Sequence, residues 1–401
     1  MSGSSVTGCS VSGFVGGGRR LRVAYLLTQD SGGPVDVTVR LARALLASGE
    51  VDVRVFGPVP RRGAEELGVH HEIVDVGDKT DLRAGRRARV AVRAWRPDVV
   101  HAQDRRAGLV SAGLRWRHKV IQTYHGVPDD VGEAWFRGVP QAVPPSAYTR
   151  VVLAADAVVA RAVHRTVVPA WAMGRFLSTR LRVPGARLTH IDNCVEPAHV
   201  QLPVGPVRRL VFVGLLVERK GLATLLAALA RPGVMPADAT LTVVGDGPER
   251  MRAEELARGL GGRVTFLGFR ADVPDVLRHH DALVLPSMME QQPLVVAEAM
   301  VAGKPVVATD TGGVADMLGY SDSDSGSPGA GSSGLGGVDL LAAPGDVDQL
   351  AARLRALFAD PDPARTGRLL AERARERFAP HVCARRHLAL YRELMRWESA
   401  A

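Results

Sequence analysis

Cysteine, aromatic residues and long apolar runs are all scarce in this chain of 401 residues. Its three cysteines, Cys9, Cys194 and Cys383, lack Cys-x-x-Cys spacing, which argues against a disulfide framework and against a thiolate metal site. No apolar run reaches the length of about 18 residues that a membrane span needs, and the Ser/Gly-rich start lacks the charged and apolar regions of an export signal. We therefore expect a cytoplasmic protein, and the 46% of hydrophobic residues are enough for full cores.

Lysine is also rare, since only Lys79, Lys119, Lys220 and Lys304 accompany 47 arginines. Such an arginine bias is usual in proteins from GC-rich genomes, so each lysine is the more informative basic residue. Residues 1–200 hold 28 basic and 18 acidic side chains, whereas residues 201–401 hold 23 and 24. The excess positive charge of the chain therefore lies in its first half.

Strand and helix patterns alternate along both halves of the chain. In the first half, apolar runs of strand length, among them Leu21–Leu27 and Ala157–Ala160, are separated by turns and by segments with helical spacing. The second half repeats the pattern with a strand at Arg209–Val213 and a predicted helix over Lys220–Ala230. Such alternation is typical of parallel sheets that helices cover on both faces. The sequence therefore predicts an α/β protein with two doubly wound, Rossmann-like domains that face one another across a cleft.

Composition also predicts where these domains begin and end. Residues 1–19 are expected to form a disordered tail, residues 20–195 the first domain and residues 208–380 the second. The linker between them, 196–207, contains three prolines and one glycine, and residues 321–337 have the composition of a low-complexity loop. The last helix, within 381–401, is expected to return to the first domain.

Several segments that could carry chemistry lie where a strand is followed by a helix, which is where open α/β sheets bind ligands. Gly32-Gly33 follows the first strand, and its backbone N–H groups could approach a phosphate, although a plain tight turn explains the pair equally well. Lys220 lies at the predicted start of a helix, where its charge opposes the helix dipole unless an anion is bound nearby. We favour phosphate binding there over a solvated surface lysine.

Two glutamates flank the start of the helix that Pro293 and Gly303 delimit, Glu290 before it and Glu298 within it. Helical rise separates their carboxylates by on the order of 10–12 Å, which matches the distance from the sugar to the ribose of a nucleotide-sugar. A surface acid and an ion-pair partner explain the two glutamates equally well. His125 lies just beyond a strand in the basic half; a lone histidine is usually structural, but a strand end favours function.

Two other kinds of site are disfavoured. Neither Gly32-Gly33 nor Gly245-Asp246-Gly247 has a third glycine at the spacing of the dinucleotide fingerprint, so a bound NAD is not expected. The pairs His70-His71 and His279-His280 point in different directions on any regular element, which makes them poor metal sites. We expect no metal, no cofactor and no nucleic-acid partner.

Longer segments of the chain together resemble the retaining, nucleotide-sugar-dependent glycosyltransferases of the GT-B fold, specifically family four (glycosyl transferases group 1). In the first half these segments are TQDSGGP (28–34), PDVVHAQ (97–103), QTYHG (122–126) and HIDNCVEP (190–197). In the second half they are VGLLVERKG (213–221), VVGDGPE (243–249), VTFLGF (264–269), LPSMMEQQPLVVAEAMVAGKPVVATDTGG (285–313) and APGD (343–346). The segment 285–313, with seven residues between its two glutamates, is the most specific. The resemblance covers nearly the whole chain after the tail.

The resemblance implies an enzyme that moves a sugar from a nucleotide-diphosphate-sugar to an acceptor hydroxyl. Retention of anomeric configuration and independence of metal ions are also implied, as is a role in glycan, glycolipid or glycosylated-metabolite biosynthesis. Lys220 would bind the diphosphate, Glu290 the transferred sugar and His125 the sugar near its 6-position, which makes these three the catalytic candidates. Glu298 would contact the ribose.

The full set of residues that the resemblance assigns is larger. The donor-binding residues are Gly32, Gly33, Arg219, Lys220, Phe269, Arg270, Glu290, Gln291, Gln292, Leu294 and Glu298. The acceptor-binding residues, by analogy, are Gln103, Asp104 and Arg105.

The sequence departs from the family pattern at three places. Leu215 replaces the arginine that commonly follows the glycine of a Gly-Arg-Leu motif, Cys194 replaces the glycine after Asn193, and Gln291-Gln292-Pro293 replaces Gly-Phe-Gly. We favour an active transferase. The alternatives are a catalytically weak or silent subunit that supports another transferase and, less favoured, a sugar-nucleotide epimerase of the same fold.

The sequence leaves open both the class of acceptor and the role of a group of arginines in the first half. A sugar, a lipid-linked molecule and a small molecule all fit as acceptors. Five arginines lie mostly on one side of a predicted helix: Arg83, Arg86, Arg87, Arg93 and Arg96. A solvated face is the favoured interpretation, and peripheral contact with anionic lipid at the inner face of the membrane, or with a phosphorylated acceptor, is the alternative.

Overall fold

The computed structural model describes residues 19–76, 81–320 and 337–399, and in these ranges the strands form two parallel β-sheets. The strands of the first sheet are β1 (Leu21–Leu26), β2 (Val51–Gly57), β3 (His71–Ile73), β4 (Val99–Ala102), β5 (Lys119–Thr123), β6 (Arg165–Val168) and β7 (Leu188–His190). Those of the second are β8 (Arg209–Val213), β9 (Thr240–Val244), β10 (Val264–Gly268), β11 (Ala282–Leu285), β12 (Val306–Thr309) and β13 (Leu341–Ala342). The strand orders are β3-β2-β1-β4-β5-β6-β7 and β10-β9-β8-β11-β12-β13.

Helices connect successive strands in both sheets. In the first half they are α1 (Gly33–Ala47), α2 (Ala64–Leu67), α3 (Leu82–Ala94), α4 (Arg105–Ala112), α5 (Glu133–Arg137), α6 (Ala147–Ala162) and α7 (Trp171–Thr179). In the second half they are α8 (Leu222–Leu229), α9 (Arg250–Ala257), α10 (Val273–Arg278), α11 (Leu294–Val301), α12 (Val314–Met317), α13 (Val347–Ala359), α14 (Pro363–Phe378) and α15 (Pro380–Ser399). Short 3-10 turns lie at Gly68–His70, Gly185–Arg187, Glu218–Lys220 and Arg258–Leu260.

The central strands are apolar because helices cover them on both faces. The residues of β4, β11 and β12 are all buried. Both sheets change direction next to their first strand, since β1 lies between β2 and β4, and β8 lies between β9 and β11. Such a switch point opens a crevice at the carboxyl ends of the strands. The predicted α/β class with two Rossmann-like sheets is confirmed.

Helix α15 packs against the first sheet although it follows the second in sequence. Its apolar residues share a core with β1, β2 and α1. The Tyr391 hydroxyl lies 2.7 Å from the Tyr25 hydroxyl of β1 and 2.8 Å from Nδ1 of His101 in β4. The chain therefore crosses between the two halves twice, once after β7 and once between α14 and α15.

The strand predicted at Ala157–Ala160 is wrong, because these residues belong to α6. The Ser146 side chain caps this helix by accepting a hydrogen bond from Thr149 N at 3.2 Å. Leu153, Ala157 and Ala160 then bury one helical face, since spacings of four and three residues return to the same side. A short apolar run alone does not distinguish a buried strand from a buried helix face.

The helix predicted over Lys220–Ala230 begins later than expected. Gly221 has a left-handed backbone, with φ 68°, and separates the 3-10 turn Glu218–Lys220 from α8. Lys220 therefore lies ahead of the helix and not in its first turn, so the dipole argument for its charge does not apply.

Two predicted segments, the tail 1–19 and the low-complexity loop 321–337, lie outside the described residues except for Arg19 and Gly337. Among the helices of the described ranges, none is both long and apolar enough to cross a bilayer.

Candidate functional site

The first turns of α1 and α11 face one another across the cleft between the two sheets. A Cβ built on Gly33 would lie 3.6 Å from Leu294 Cδ1, so the two turns are in close contact. Gly32, just ahead of α1, has φ 99°, a backbone conformation that favours glycine. Both helices thus direct backbone N–H groups to the carboxyl ends of the strands, where an anion is stabilised.

Lys220 and Glu290 form an ion pair beside this contact. Lys220 Nζ lies 2.5 Å from Glu290 Oε1, and Ser287 Oγ donates to the same oxygen at 2.8 Å. Glu290 is 8% exposed, so its charge is largely removed from water and needs these partners. The structure therefore brings together two residues that lie seventy positions apart.

Gly221 fixes the distance between the two loops that carry this pair. A Cβ at Gly221 would lie 2.0 Å from the carbonyl oxygen of Pro286, which is the residue before Ser287. Only glycine allows the turn with Lys220 to approach the loop with Glu290 so closely.

A cavity of about 210 Å³ lies between the two halves, and Glu290 of the ion pair is one of its lining residues. The first half contributes His125 and residues 126–129, and the second half contributes Arg219 and residues 289–292. Arg219 Nε lies 3.3 Å from Asp129 Oδ1, so the two halves also touch at the mouth of the cavity. Among the predicted donor residues, Arg219, Glu290, Gln291 and Gln292 meet in this wall.

His125 faces the cavity as a neutral imidazole at neutral pH. Its burial, with a smaller effect from His387, lowers the pKa of His125 to about 4. His125 Nε2 lies 3.1 Å from Gln103 Oε1, and donates a hydrogen bond to it in the tautomer with the proton on Nε2. Gln103 is buried, and its Nε2 has no hydrogen-bond partner among the described residues. Gln103 therefore orients the imidazole of His125 from a buried position.

Glu298 meets an arginine from the opposite half. Arg40 Nη2, on α1, lies 3.2 Å from Glu298 Oε1. Burial raises the pKa of Glu298, and the charge of Arg40 opposes that rise. Arg40 Nη1 is buried without a hydrogen-bond partner among the described residues. Sequence reasoning missed Arg40, because nothing in its position on α1 indicates a contact with a residue 258 positions away.

The Gln292 side chain is directed away from the cavity. Its Nε2 donates to Asp192 Oδ1 and its Oε1 accepts from Asn193 N, each at 2.7 Å. Gln291 contributes its backbone, since its carbonyl oxygen accepts from Gly313 N at 2.8 Å. The Gln292 side chain is therefore not free to meet a donor phosphate, whereas the side-chain oxygen of Gln291 has no hydrogen-bond partner among the described residues.

The remaining predicted residues lie at the edges of the site. Phe269 is 71% exposed after β10, and the Arg62 guanidinium of the first half lies 5.4 Å from its ring centre. Arg270 forms an ion pair with Asp272 at 2.6 Å. The structure places this pair of residues at the surface and does not bring it to the Lys220–Glu290 pair.

All three acceptor candidates have partners within the first half, Gln103 through its contact with His125. The Asp104 carboxylate caps α4 through Ala107 N at 2.8 Å and accepts from Thr28 N at 2.7 Å. Arg105 forms an ion pair with Asp156 at 2.9 Å and donates to the Gly126 carbonyl at 2.7 Å. These contacts hold the wall of the cavity in place. In the described ranges, no three His, Cys, Asp or Glu side chains converge as a metal site would require.

Two Rossmann-like sheets whose strand ends enclose a common polar cleft define the GT-B class of glycosyltransferases. Residues 31–199 match the family model Glycosyltransferase Family 4, and residues 207–360 match the model Glycosyl transferases group 1. The chain therefore belongs to the group 1 glycosyltransferases.

Relatives and solved structures agree with this assignment. A 2-deoxystreptamine glucosyltransferase from Streptomyces kanamyceticus is 27% identical over 392 residues, covering 83% of this chain and 97% of that protein. Sucrose-phosphate synthase from Thermosynechococcus elongatus superposes with a TM-score of 0.73 at 23% identity, over 95% of this chain and all of that one. HepE from Anabaena in complex with UDP superposes with a TM-score of 0.72 at 20% identity, over 93% and 100% of the two chains. At these identities the two structures show a shared fold.

Proposed function

We propose that this glycosyltransferase takes its sugar from a nucleotide-diphosphate-sugar and transfers it with retention, without a metal ion, to an acceptor hydroxyl. The observation that carries the proposal is the ion pair of Lys220 with Glu290, since Glu290 lines the cavity between the two halves. A compact ammonium group is suited to a diphosphate, and a carboxylate is suited to sugar hydroxyls. In the absence of donor, each group satisfies the other.

Donor binding replaces the ion pair between Lys220 and Glu290 with contacts from each residue to the donor. The diphosphate takes the place of Glu290 beside Lys220 and accepts hydrogen bonds from backbone N–H groups at Gly33 and at residues 292 and 294. Glu290, no longer paired, accepts hydrogen bonds from the transferred sugar. Glu298 binds the ribose, and Arg40, which now neutralises Glu298, remains in reach of the nucleotide.

Retention requires no carboxylate nucleophile in this proposal. The departing phosphate oxygen takes the proton of the acceptor hydroxyl on the same face of the sugar. The protein then accelerates transfer mainly by stabilising the negative charge that develops on the leaving diphosphate. His125 assists as a neutral imidazole that forms hydrogen bonds with the sugar, and not as a cation.

The relatives suggest which substrates to test first. UDP is bound in HepE, and a relative is named for glucosyl transfer to 2-deoxystreptamine. UDP-glucose is therefore the first donor to test, and an aminocyclitol is the first small-molecule acceptor. Sugar and lipid-linked acceptors belong to the same screen.

The decisive experiment measures donor binding by calorimetry for the wild type and for Lys220→Ala. Loss of one charge-assisted contact is expected to weaken binding of UDP by about ten- to a hundredfold. Arg231→Ala, which removes a surface cation paired with Asp348, serves as the matched control and should bind as the wild type does. Full donor affinity in Lys220→Ala would overturn the phosphate assignment.

A catalytically silent subunit is the second candidate, and Leu215 is the residue that favours it. Its side chain is 57% exposed at the position where family members commonly carry an arginine. A wild-type protein that binds no nucleotide or sugar nucleotide at millimolar concentration would support this second candidate. Isomerisation of a free sugar nucleotide would instead indicate an epimerase.

A further inference from the structure

One surface of the first half combines exposed cations with exposed apolar side chains. We name it the arginine face. It consists of the outer side of α3 together with Arg96, and of α4 together with the turn 113–117. Its exposed arginines are Arg83, Arg86, Arg87, Arg93, Arg96 and Arg117. Of these, Arg87 forms an ion pair with Asp81 at 3.7 Å.

Large apolar side chains project from the same surface. Val90 of α3 is 59% exposed, Leu109 of α4 is 56% exposed, and Trp116 is 81% exposed. The Arg115 guanidinium lies 4.3 Å from the Trp116 ring centre. A surface that is only solvated gains nothing from exposing a tryptophan, a leucine and a valine together. The tryptophan is the more informative of these because the chain has only five.

The two helices form one continuous surface. A Cβ on Gly85 of α3 would lie 3.3 Å from Val110 Cγ2 of α4, and a Cβ on Gly113 would lie 2.7 Å from Arg89 Nη1. Helical spacing places Arg86 and Arg93 on the outer side of α3 that adjoins this contact. The arginines of α3 and the apolar residues of α4 therefore face the same direction.

The chemistry of this surface selects its partner. Arginine and tryptophan side chains together suit the boundary of a bilayer, where the cation meets lipid phosphates and the indole ring lies at the headgroup level. Each basic residue close to an anionic bilayer raises the binding constant roughly fivefold. The excess positive charge lies in the first half and not in the second, so an anionic surface attracts the molecule on this side.

The arginine face also adjoins the cavity of the candidate site. Helix α4 begins at Arg105, which donates a hydrogen bond to the carbonyl of Gly126 in the cavity wall, and its other end, Ala112, is followed by the turn with Trp116. Only the end of the arginine face at the start of α4 therefore lies next to the cavity.

We propose that the arginine face is a docking surface for an anionic lipid bilayer. Docking itself does not depend on the proposed function; only its use, the delivery of a lipid-linked acceptor to the cavity, rests on that function.

Co-flotation with vesicles tests the proposal on the full chain. Vesicles of phosphatidylcholine with about one third phosphatidylglycerol are compared with pure phosphatidylcholine, at low and at physiological salt. We expect binding to the anionic vesicles that weakens with salt. The triple variant Arg83→Gln, Arg86→Gln, Arg93→Gln should bind on the order of a hundredfold more weakly, and Trp116→Ser should reduce the binding that persists at physiological salt.

Two matched controls separate a surface from a general effect of charge or aromatic content. The triple variant Arg231→Gln, Arg355→Gln, Arg368→Gln removes three exposed arginines from the second half, and Trp171→Ser removes another half-exposed tryptophan. Both should float as the wild type does. An equal loss of vesicle binding in the control triple variant would overturn the proposal. A wild-type protein that binds no vesicles would also overturn it and would show that the arginine face is only solvated. The arginine-face variants should still bind the donor in a thermal-shift assay. A loss of vesicle binding can therefore be distinguished from a failure of the proposed function.

Discussion

At the scale of single residues, Leu215 stands where the motif that the sequence resembles commonly has an arginine. Its side chain is exposed on the loop that precedes Lys220, so an arginine there buries no charge. We expect Leu215→Arg to tighten donor binding by about ten- to a hundredfold through a second cation on the diphosphate. Calorimetry with UDP measures the effect. Val204→Arg, which adds the same charge at a 93% exposed position, is the control. Unfolding of Leu215→Arg, or unchanged donor affinity in a folded variant, would contradict the prediction.

His387 gives a residue-scale prediction about pH. Burial lowers the pKa of His387 to about 4, against about 6.5 in an unfolded chain. Between these values the unfolded state binds more protons, so the stabilising effect of the neutral side chain is complete above pH 6.5 and is lost as the pH falls towards 4. The loss is about 3 kcal/mol for this one group. His387→Gln, which keeps a hydrogen-bond donor for the Cys383 carbonyl, should therefore flatten the pH dependence of the unfolding free energy over this range. An equally steep dependence in the variant would show that other groups cause it.

At the scale of elements, the break between the 3-10 turn Glu218–Lys220 and α8 is the feature that positions Lys220. Gly221→Ala forces a left-handed alanine, which costs about 1–2 kcal/mol, and also places a methyl group against the Pro286 carbonyl. We expect lower stability and at least tenfold weaker donor binding, because the Lys220 and Glu290 loops must separate. Gly233→Ala is a matched control, since Gly233 has the same φ of 68° and a Cβ there would meet nothing within 4 Å. Chemical denaturation and calorimetry on both variants separate the backbone cost from the clash. Equal effects in the two would contradict the role given to Gly221.

The same elements show how far sequence reasoning reaches. Strands such as β4, β8 and β11 are predictable to within their ends, because a short apolar run bounded by turns, in a chain that alternates strands with helices, favours a buried strand. The strand prediction at Ala157–Ala160 failed, because a helix with a wide buried face contains equally continuous apolar residues. The Lys220–Glu290 pair is predictable as two strand-end residues but not as an ion pair, since its geometry depends on the Gly221–Pro286 contact. Arg40 and the side-chain direction of Gln292 depend on how the halves face each other, which no local pattern encodes.

At the scale of the whole molecule, polar contacts hold the two halves together. Besides the pairs at the cavity, Arg137 of α5 forms an ion pair with Asp310 at 2.8 Å, and the Glu133 carboxylate accepts from Gly312 N at 2.9 Å. Interfaces of this polar kind permit relative motion of domains. These polar contacts, with apolar ones such as Met289 in the core of the first half, set the position of the second sheet against the first.

Asp192 connects these contacts to both chain crossings. It is 2% exposed and lies just after β7, where the chain first leaves the first sheet. Arg377, at the end of α14, and Arg386, in α15, lie 2.7 Å and 2.9 Å from its two carboxylate oxygens. Burial alone would raise the pKa of Asp192, but hydrogen bonds from His190 and Arg377 reverse the direction and lower it. Gln292 adds a contact from the cavity loop, so this loop is anchored where the chain crosses between the halves.

Gln292→Leu therefore should change the molecule as a whole and not only one loop. The variant removes both hydrogen bonds of the side chain and leaves Asn193 N–H without a partner, which costs about 1–3 kcal/mol of stability. Without these hydrogen bonds, the loop with Glu290 is no longer held to Asp192, and the second sheet can shift against the first. We therefore expect a larger radius of gyration by small-angle X-ray scattering and weaker donor binding. Gln349→Leu is the matched control: Gln349 Oε1 accepts from Ala343 N at 3.0 Å within the second half alone. It should lose stability without any change in radius or donor affinity. A Gln292 variant with the scattering profile and donor affinity of the wild type would show that the Asp192 cluster holds the crossings together independently of the site.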